Sequence, residues 1–152
     1  MSQKGKEARA LFEQGYNCAQ SVAGVFAAEM GLERETVVRM ISPFGGGMGR
    51  LREVCGAFSG VLFVLGVLYG YSDAEASEEK MQLYKEVQDL AARFSAQNGS
   101  IICRELLGLR AGASDPKPAE RTAKYYHERC CSDAVESAAA LMEEFIASHP
   151  LG

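Results

Sequence analysis

The chain has 152 residues, of which 47% are hydrophobic and 24% charged, and its formal net charge is −4. That length suits one domain, residues 1–152, burying roughly 70% of its unfolded surface without disulfide staples. Lys and Arg are scattered, so no basic face offers itself to nucleic acid or anionic lipid.

In chain order, Ala8, Leu11 and Phe12 share the face of a first helix that stops at Gly15. Asn17 followed by Gln20 has the form of a capping box. The second helix then runs through Cys18, Val22, Val25 and Phe26 to Gly31, with Cys18 facing inward at its start. "LERETVVRMI" supports a short third helix closed by Pro43. "PFGGGMGR" packs four glycines into five residues and reads as a loop with unusual backbone freedom. Val54 to Tyr71 is charge-free and reads as a fourth helix, and Ser72 with Glu75 as the cap that restarts the chain. Leu83, Val87, Leu90 and Phe94 stripe a long fifth helix that breaks at Asn98 and Gly99. Ser100 is expected to cap "IICRELLG", with Cys103 at its third position. "LRAGASDPKPAE" is a loop. A helix through Tyr125 and Tyr126 leads to Cys130 and Cys131. Asp133 and Glu136 are candidate caps for a last helix with Val135, Ala139, Met142 and Phe145 on its apolar face. The fold class is all-α, a compact multi-helix bundle around a central glycine-rich apolar helix, with no internal repeat.

The charge-free run barely reaches the roughly 20 apolar residues of a membrane span, and four glycines interrupt it. Gly56 with Gly60 and Gly66 with Gly70 are G-x-x-x-G pairs. In lipid they would form a dimerisation face; in a bundle they admit a neighbouring backbone. The amphipathic neighbours need an apolar helix to pack on, so the run is read as a buried core helix, with no membrane insertion. The amino-terminal "MSQKGKEARALFEQG" mixes charge signs and has no apolar signal core, which predicts a cytoplasmic protein.

In that compartment disulfides are rarely structural, and five cysteines exceed what packing requires. No C-x-x-C occurs, which removes the main support for thioredoxin-type and zinc-ribbon readings. Cys18, Cys55 and Cys103 lie near helix starts and Cys131 just ahead of the last helix, where backbone amides favour thiolate. Residue type and spacing leave two readings open: core packing and a shared thiolate site.

"GYNCAQSV", "FGGGMGR", "CGAFSG", "SIICRELLG" and "CCSDAV", in that order, resemble the C_GCAxxG_C_C family of putative redox-active proteins. The likeness runs from about Gly15 into the last helix, and "CGAFSG" after the glycine loop is its most specific part. It implies Cys18, Cys55, Cys103 and Cys131 as the recurring cysteines. Cys131 is preferred because Val135 follows it by four positions, and Cys130 is the alternate. The resemblance implies a small helical domain with a redox role. A further likeness, to the cluster-bearing part of split-Soret cytochromes, implies four thiolates around an iron–sulfur cluster used for electron transfer or redox sensing with a protein partner. No C-x-x-C-H occurs, so covalent haem is not expected.

Four thiolates satisfy a cluster whose potential is set by hydrogen bonds and burial. Amides of Gly45, Gly46, Gly47, Gly49 and Gly56 are candidates for such bonds, since successive glycine amides form anion-accepting nests. The rivals are metal-free dithiol–disulfide exchange, zinc with His127 beside the terminal pair, and a helical interaction module whose cysteines merely pack. The glycine loop with Arg50 and Arg52 beside a helix start could cradle a phosphate, but no Lys-Ser or Lys-Thr makes it a P-loop; the two arginines read as solvated, though a nearby cluster's negative charge would suit them. Tyr125 and Tyr126 are expected to pack with their polar tips in water. Glu78, Glu79, Glu143 and Glu144 read as solvated faces, and no catalytic residue is assigned. Small-residue helix faces suggest a homodimer.

Overall fold

Ser2 caps α1 (Gln3–Glu13), its Oγ accepting the Gly5 amide at 2.9 Å, and the chain turns away at Gly15. The computed structural model describes residues 2–109 and 112–151. Ala8, Leu11 and Phe12 are buried, as their spacing predicts. α2 (Cys18–Gly24) opens on the expected capping box. Asn17 Oδ1 accepts the Gln20 amide at 2.9 Å, and Gln20 Oε1 accepts the Asn17 amide at 3.0 Å. The continuous helix expected as far as Gly31 is interrupted at Val25 and Phe26, where Lys4 Nζ donates to the Val25 carbonyl at 2.7 Å. A side chain from α1 thus takes a carbonyl that the helix would otherwise use. α3 (Ala27–Met30) resumes and ends at Gly31, α4 spans Arg34–Ile41, and a 3₁₀ turn at Ser42–Phe44 carries Pro43.

After the single turn α5 (Gly45–Met48), the central helix α6 covers Gly56–Tyr69. It is shorter than the expected Val54–Tyr71. Val54 forms an isolated antiparallel bridge with Ile102, and Gly70 leaves in extended conformation. α6 packs against α2, α10 and α7. A methyl on Gly60 would stand 2.8 Å from Val22 Cβ, so the first G-x-x-x-G pair is where α2 approaches. Gly66 faces open space and a methyl on Gly70 would meet Gly66 itself, so the second pair admits no neighbouring helix. Among the described residues no helix is long and apolar enough to cross a membrane.

Two expected caps are replaced by other hydrogen bonds. α7 (Ser77–Asn98) has Ala76 at its cap position, and Asp73 Oδ1 takes the Glu75 amide in the turn before it. An aspartate two residues before an amide outcompetes the more distant Ser72 pattern. In α8 (Cys103–Leu106) the cap position is Ile102 and Cys103 is the first residue, not the third; Ser100 Oγ accepts the Ile102 amide at 2.9 Å. Thr122 caps α9 (Ala123–Glu128), accepting the Tyr125 amide at 3.2 Å. α10 (Cys131–Ser148) starts two residues before Asp133. That residue and Glu136 do not cap it but pair with Arg9 of α1, which lies along α10; Glu136 meets it at 2.8 Å. Val135, Ala139, Met142 and Phe145 are buried, as predicted.

The buried apolar residues form one cluster around α6, including Phe12, Phe26, Phe58 and Phe94. Leu90 and Phe94 of α7 join it, whereas Met81 and Tyr84, nearer its start, are exposed. The architecture is an all-α bundle, and the starts of α2, α6, α8 and α10 gather at one place.

Candidate functional site

Every cysteine lies at a helix start. Cys18, Cys103 and Cys131 are the first residues of α2, α8 and α10, and Cys55 and Cys130 hold the cap positions of α6 and α10. All five thiols are free, and all five line one cavity of about 70 Å³. Cys55 and Cys103 are buried, and the other three are half-buried. The sequence brings together residues that lie more than a hundred positions apart.

Three local devices place the sulfurs. The capping box fixes Cys18, and Asn17 Nδ2 also donates to the Ser42 carbonyl at 3.1 Å, tying α2 to the glycine turn. Cys55 and Cys103 sit either side of an antiparallel clasp. The Cys55 amide donates to the Ile101 carbonyl at 2.7 Å, and the Cys103 amide to the Glu53 carbonyl at 2.6 Å. The third device is the glycine segment. Each of residues 46 to 50 has positive φ, and Arg52 repeats it at 64°. This left-handed path is cheap for Gly46, Gly47 and Gly49, but it costs about 1–2 kcal/mol at a residue with a side chain, such as Met48, Arg50 or Arg52. The path brings the Gly46 amide to the Cys18 sulfur and the Gly47 backbone against Cys103, where an added methyl would lie 2.6 Å from Cys103 Cβ. A methyl on Gly56 would overlap Cys18 Sγ outright. Asn17→Ala should lower stability by about 1 kcal/mol and speed Cys18 modification by a thiol reagent, read by urea unfolding and mass spectrometry.

The electrostatics reverse one expectation. Helix-start amides do act on the sulfurs: Ala57 and Phe58 on Cys55, Gly46 and Ala19 on Cys18. Burial outweighs them, pushing Cys18 up, Cys55 well up and Cys131 to about 12; neighbouring sulfurs add to each. Cys130 is also raised, mainly by burial. As free side chains these are neutral thiols at pH 7, not the preformed thiolates that helix starts alone predict.

Arg52 is the residue that sequence reasoning misjudged. It was expected to be solvated, yet only 3% of it is exposed, with Nη1 3.6 Å from Cys103 Sγ and Nε donating to Ser114 Oγ at 2.8 Å. Its partners lie 51 and 62 positions away, so no local signal marks it. Arg121, Tyr125 and Arg129 also line the cavity and were not singled out for it. Of the five glycines, Gly46 and Gly56 line the cavity, Gly47 backs Cys103, Gly45 abuts Asn17, and Gly49 faces a neighbouring cavity. Tyr125 and Tyr126 pack on Phe12, at 6.4 and 5.9 Å between ring centroids. The His127 side chain lies outside the described residues. Among the described residues no three of Cys, His, Asp and Glu are grouped closely enough to hold one metal ion.

A family model described as "Putative redox-active protein (C_GCAxxG_C_C)" matches residues 16–145, a span that holds all five cysteines and the glycine turn. No curated protein and no solved structure matches the chain.

Proposed function

Because the chain belongs to the C_GCAxxG_C_C family of putative redox-active proteins, we propose that Cys18, Cys55, Cys103 and Cys131 hold one sulfur-ligated redox centre, an iron–sulfur cluster. Its work would be to carry electrons for, or sense the redox state of, a protein partner. The observation that carries this reading is that all five cysteines, from four separate stretches of chain, line a single cavity.

The residues suit such a group in three respects. The donor set is wholly thiol, which is what clusters take. Glycines stand where a Cβ would strike Cys18 or Cys103, so the backbone yields room around the sulfurs. Donors already face sulfur: the Gly46 amide at Cys18, the Ala57 and Phe58 amides at Cys55, and Arg52 at Cys103.

When bound, the group would supply one-electron chemistry. The chain would hold its four sulfurs, offset their negative charge with Arg52 and exclude water with Phe12, Leu106 and Leu107. Amide and guanidinium hydrogen bonds to sulfur tune the potential.

Anaerobic purification followed by iron, zinc and sulfide assays and a visible spectrum tests the reading. Brown protein with iron and acid-labile sulfide is expected. Cys18→Ser, Cys55→Ser, Cys103→Ser and Cys131→Ser should each bleach it, and Cys130→Ser should not. Colourless protein with two fast-reacting thiols would replace the cluster by disulfide exchange. Inert thiols without metal would leave only packing.

A further inference from the structure

A second cavity, of about 240 Å³, abuts the cysteine cavity and shares with it Asn17, Gly46, Arg52, Arg121, Tyr125 and Arg129. Arg50 joins them, so four arginines line one cavity in a chain of net charge −4. Among the described residues none of the four makes a salt bridge; the cations that do are Lys4, Arg9, Arg93 and Arg104.

Three of the four are held in place by uncharged partners. Arg121 donates to the Phe12 and Tyr16 carbonyls at 2.9 and 3.1 Å and lies over the Phe12 ring. Arg129 stacks on Tyr125 at 4.6 Å, and Arg52 is anchored on Ser114 and Cys103. Arg50 is the exception, because its Nε is buried with no hydrogen-bond partner. Burial and the charges of Arg52 and Arg129 lower its pKa, while Asp115 acts in the opposite sense without pairing. Like charges gathered without an ion pair cost free energy, and an unpaired buried donor adds to that cost. An anion in the cavity removes both costs. Pro116, Pro118 and Ala119 line the same space and give it an apolar side.

We propose that this cavity binds a phosphate-class oxyanion, free or as the head of a small organic molecule. Guanidinium forks match such a head in geometry and charge, and four of them favour a dianion over a monocarboxylate. The proline side would take an organic remainder. The site goes beyond the sulfur-centred reading and does not depend on it, since anion binding needs no iron.

Calorimetric titration of the full chain at constant ionic strength, with inorganic phosphate, phenyl phosphate and benzoate, tests it. Saturable binding of a phosphate is expected, at least about tenfold tighter than benzoate, because a dianion engages more guanidinium hydrogen bonds than a monocarboxylate. Arg50→Gln and Arg129→Gln should each weaken it about tenfold or more, with circular dichroism confirming the fold. Arg93→Gln, whose guanidinium meets Glu144 at 3.1 Å elsewhere, should leave it unchanged. Phenyl phosphate binding tighter than inorganic phosphate assigns an organic ligand, and equal binding assigns the free ion. Benzoate matching the phosphates, no saturable binding, or titrations that folded Arg50→Gln and Arg129→Gln both leave unaltered would overturn the proposal.

Discussion

Gly47→Ala should destabilise the protein by about 2–5 kcal/mol, summing the 1–2 kcal/mol of a left-handed alanine and the 1–3 kcal/mol of overpacking. Gly47 has φ 67°, and its added methyl would stand 2.6 Å from Cys103 Cβ, 2.8 Å from the Glu53 nitrogen and 2.9 Å from Arg52 Cα. Two of these neighbours are backbone and cannot rotate away. They also belong to the clasp that holds Cys55 beside Cys103, so relieving the clash must open the cavity. Gly49→Ala is the matched control. Its φ is 58°, but its methyl would meet only the Pro43 carbonyl, at 3.8 Å. It should therefore lose about 1–2 kcal/mol, from backbone strain alone. Urea unfolding of both variants reads the difference. Equal losses would mean that the turn is not pressed against Cys103.

The second large effect concerns alkaline pH. Metal-free protein should lose stability steeply above about pH 9. Cys131 titrates near 12 when folded, against an ordinary thiol value near 9, and Cys18, Cys55 and Cys130 are also raised. Between those values the unfolded chain has released the Cys131 proton and the folded chain keeps it, so the folded state binds more protons. Stability then falls as pH rises. The contribution is complete below about pH 9 and is lost through about pH 12. Cys131 alone gives a slope of about 1.4 kcal/mol per pH unit, and each further buried thiol adds to it. Urea midpoints at pH 7, 9 and 10.5 measure this. A Cys131→Ser variant should show a shallower slope, and a flat profile in the parent protein would show that the thiols are reached by water.

The same burial sets the requirements of the proposed centre. A neutral, crowded thiol group resists becoming thiolate unless positive charge arrives with it. Arg52 supplies part of that charge at Cys103.

How far the fold was legible depended on where the partners of each signal lay. Asn17 and Gln20 predict the capping box that forms, because both halves of the interaction fall within four residues. Ser72 with Glu75 follows a similar pattern and failed, because Asp73 offered the Glu75 amide a closer acceptor. Ser100 failed in the same way by binding the Ile102 amide, which moved Cys103 to the first position of its helix. The charge-free run predicts a core helix and α6 is one, but Val54 lies outside it. Its pairing with Ile102, far along the chain, leaves no periodic trace.

By itself the sequence determined the helical class, the inward faces of α1, α7 and α10, the start of α2 and the place of each cysteine near a helix start. These follow from side-chain periodicity and from hydrogen bonds that close within one turn. Only the tertiary structure decided that all five thiols line one cavity, that Arg52 is buried against Cys103, and that four arginines line the next cavity. The reason is physical: those arrangements arise from the packing of α2, α6 and α10 and from the handedness of a glycine turn, and both are settled by contacts between residues that no local pattern links.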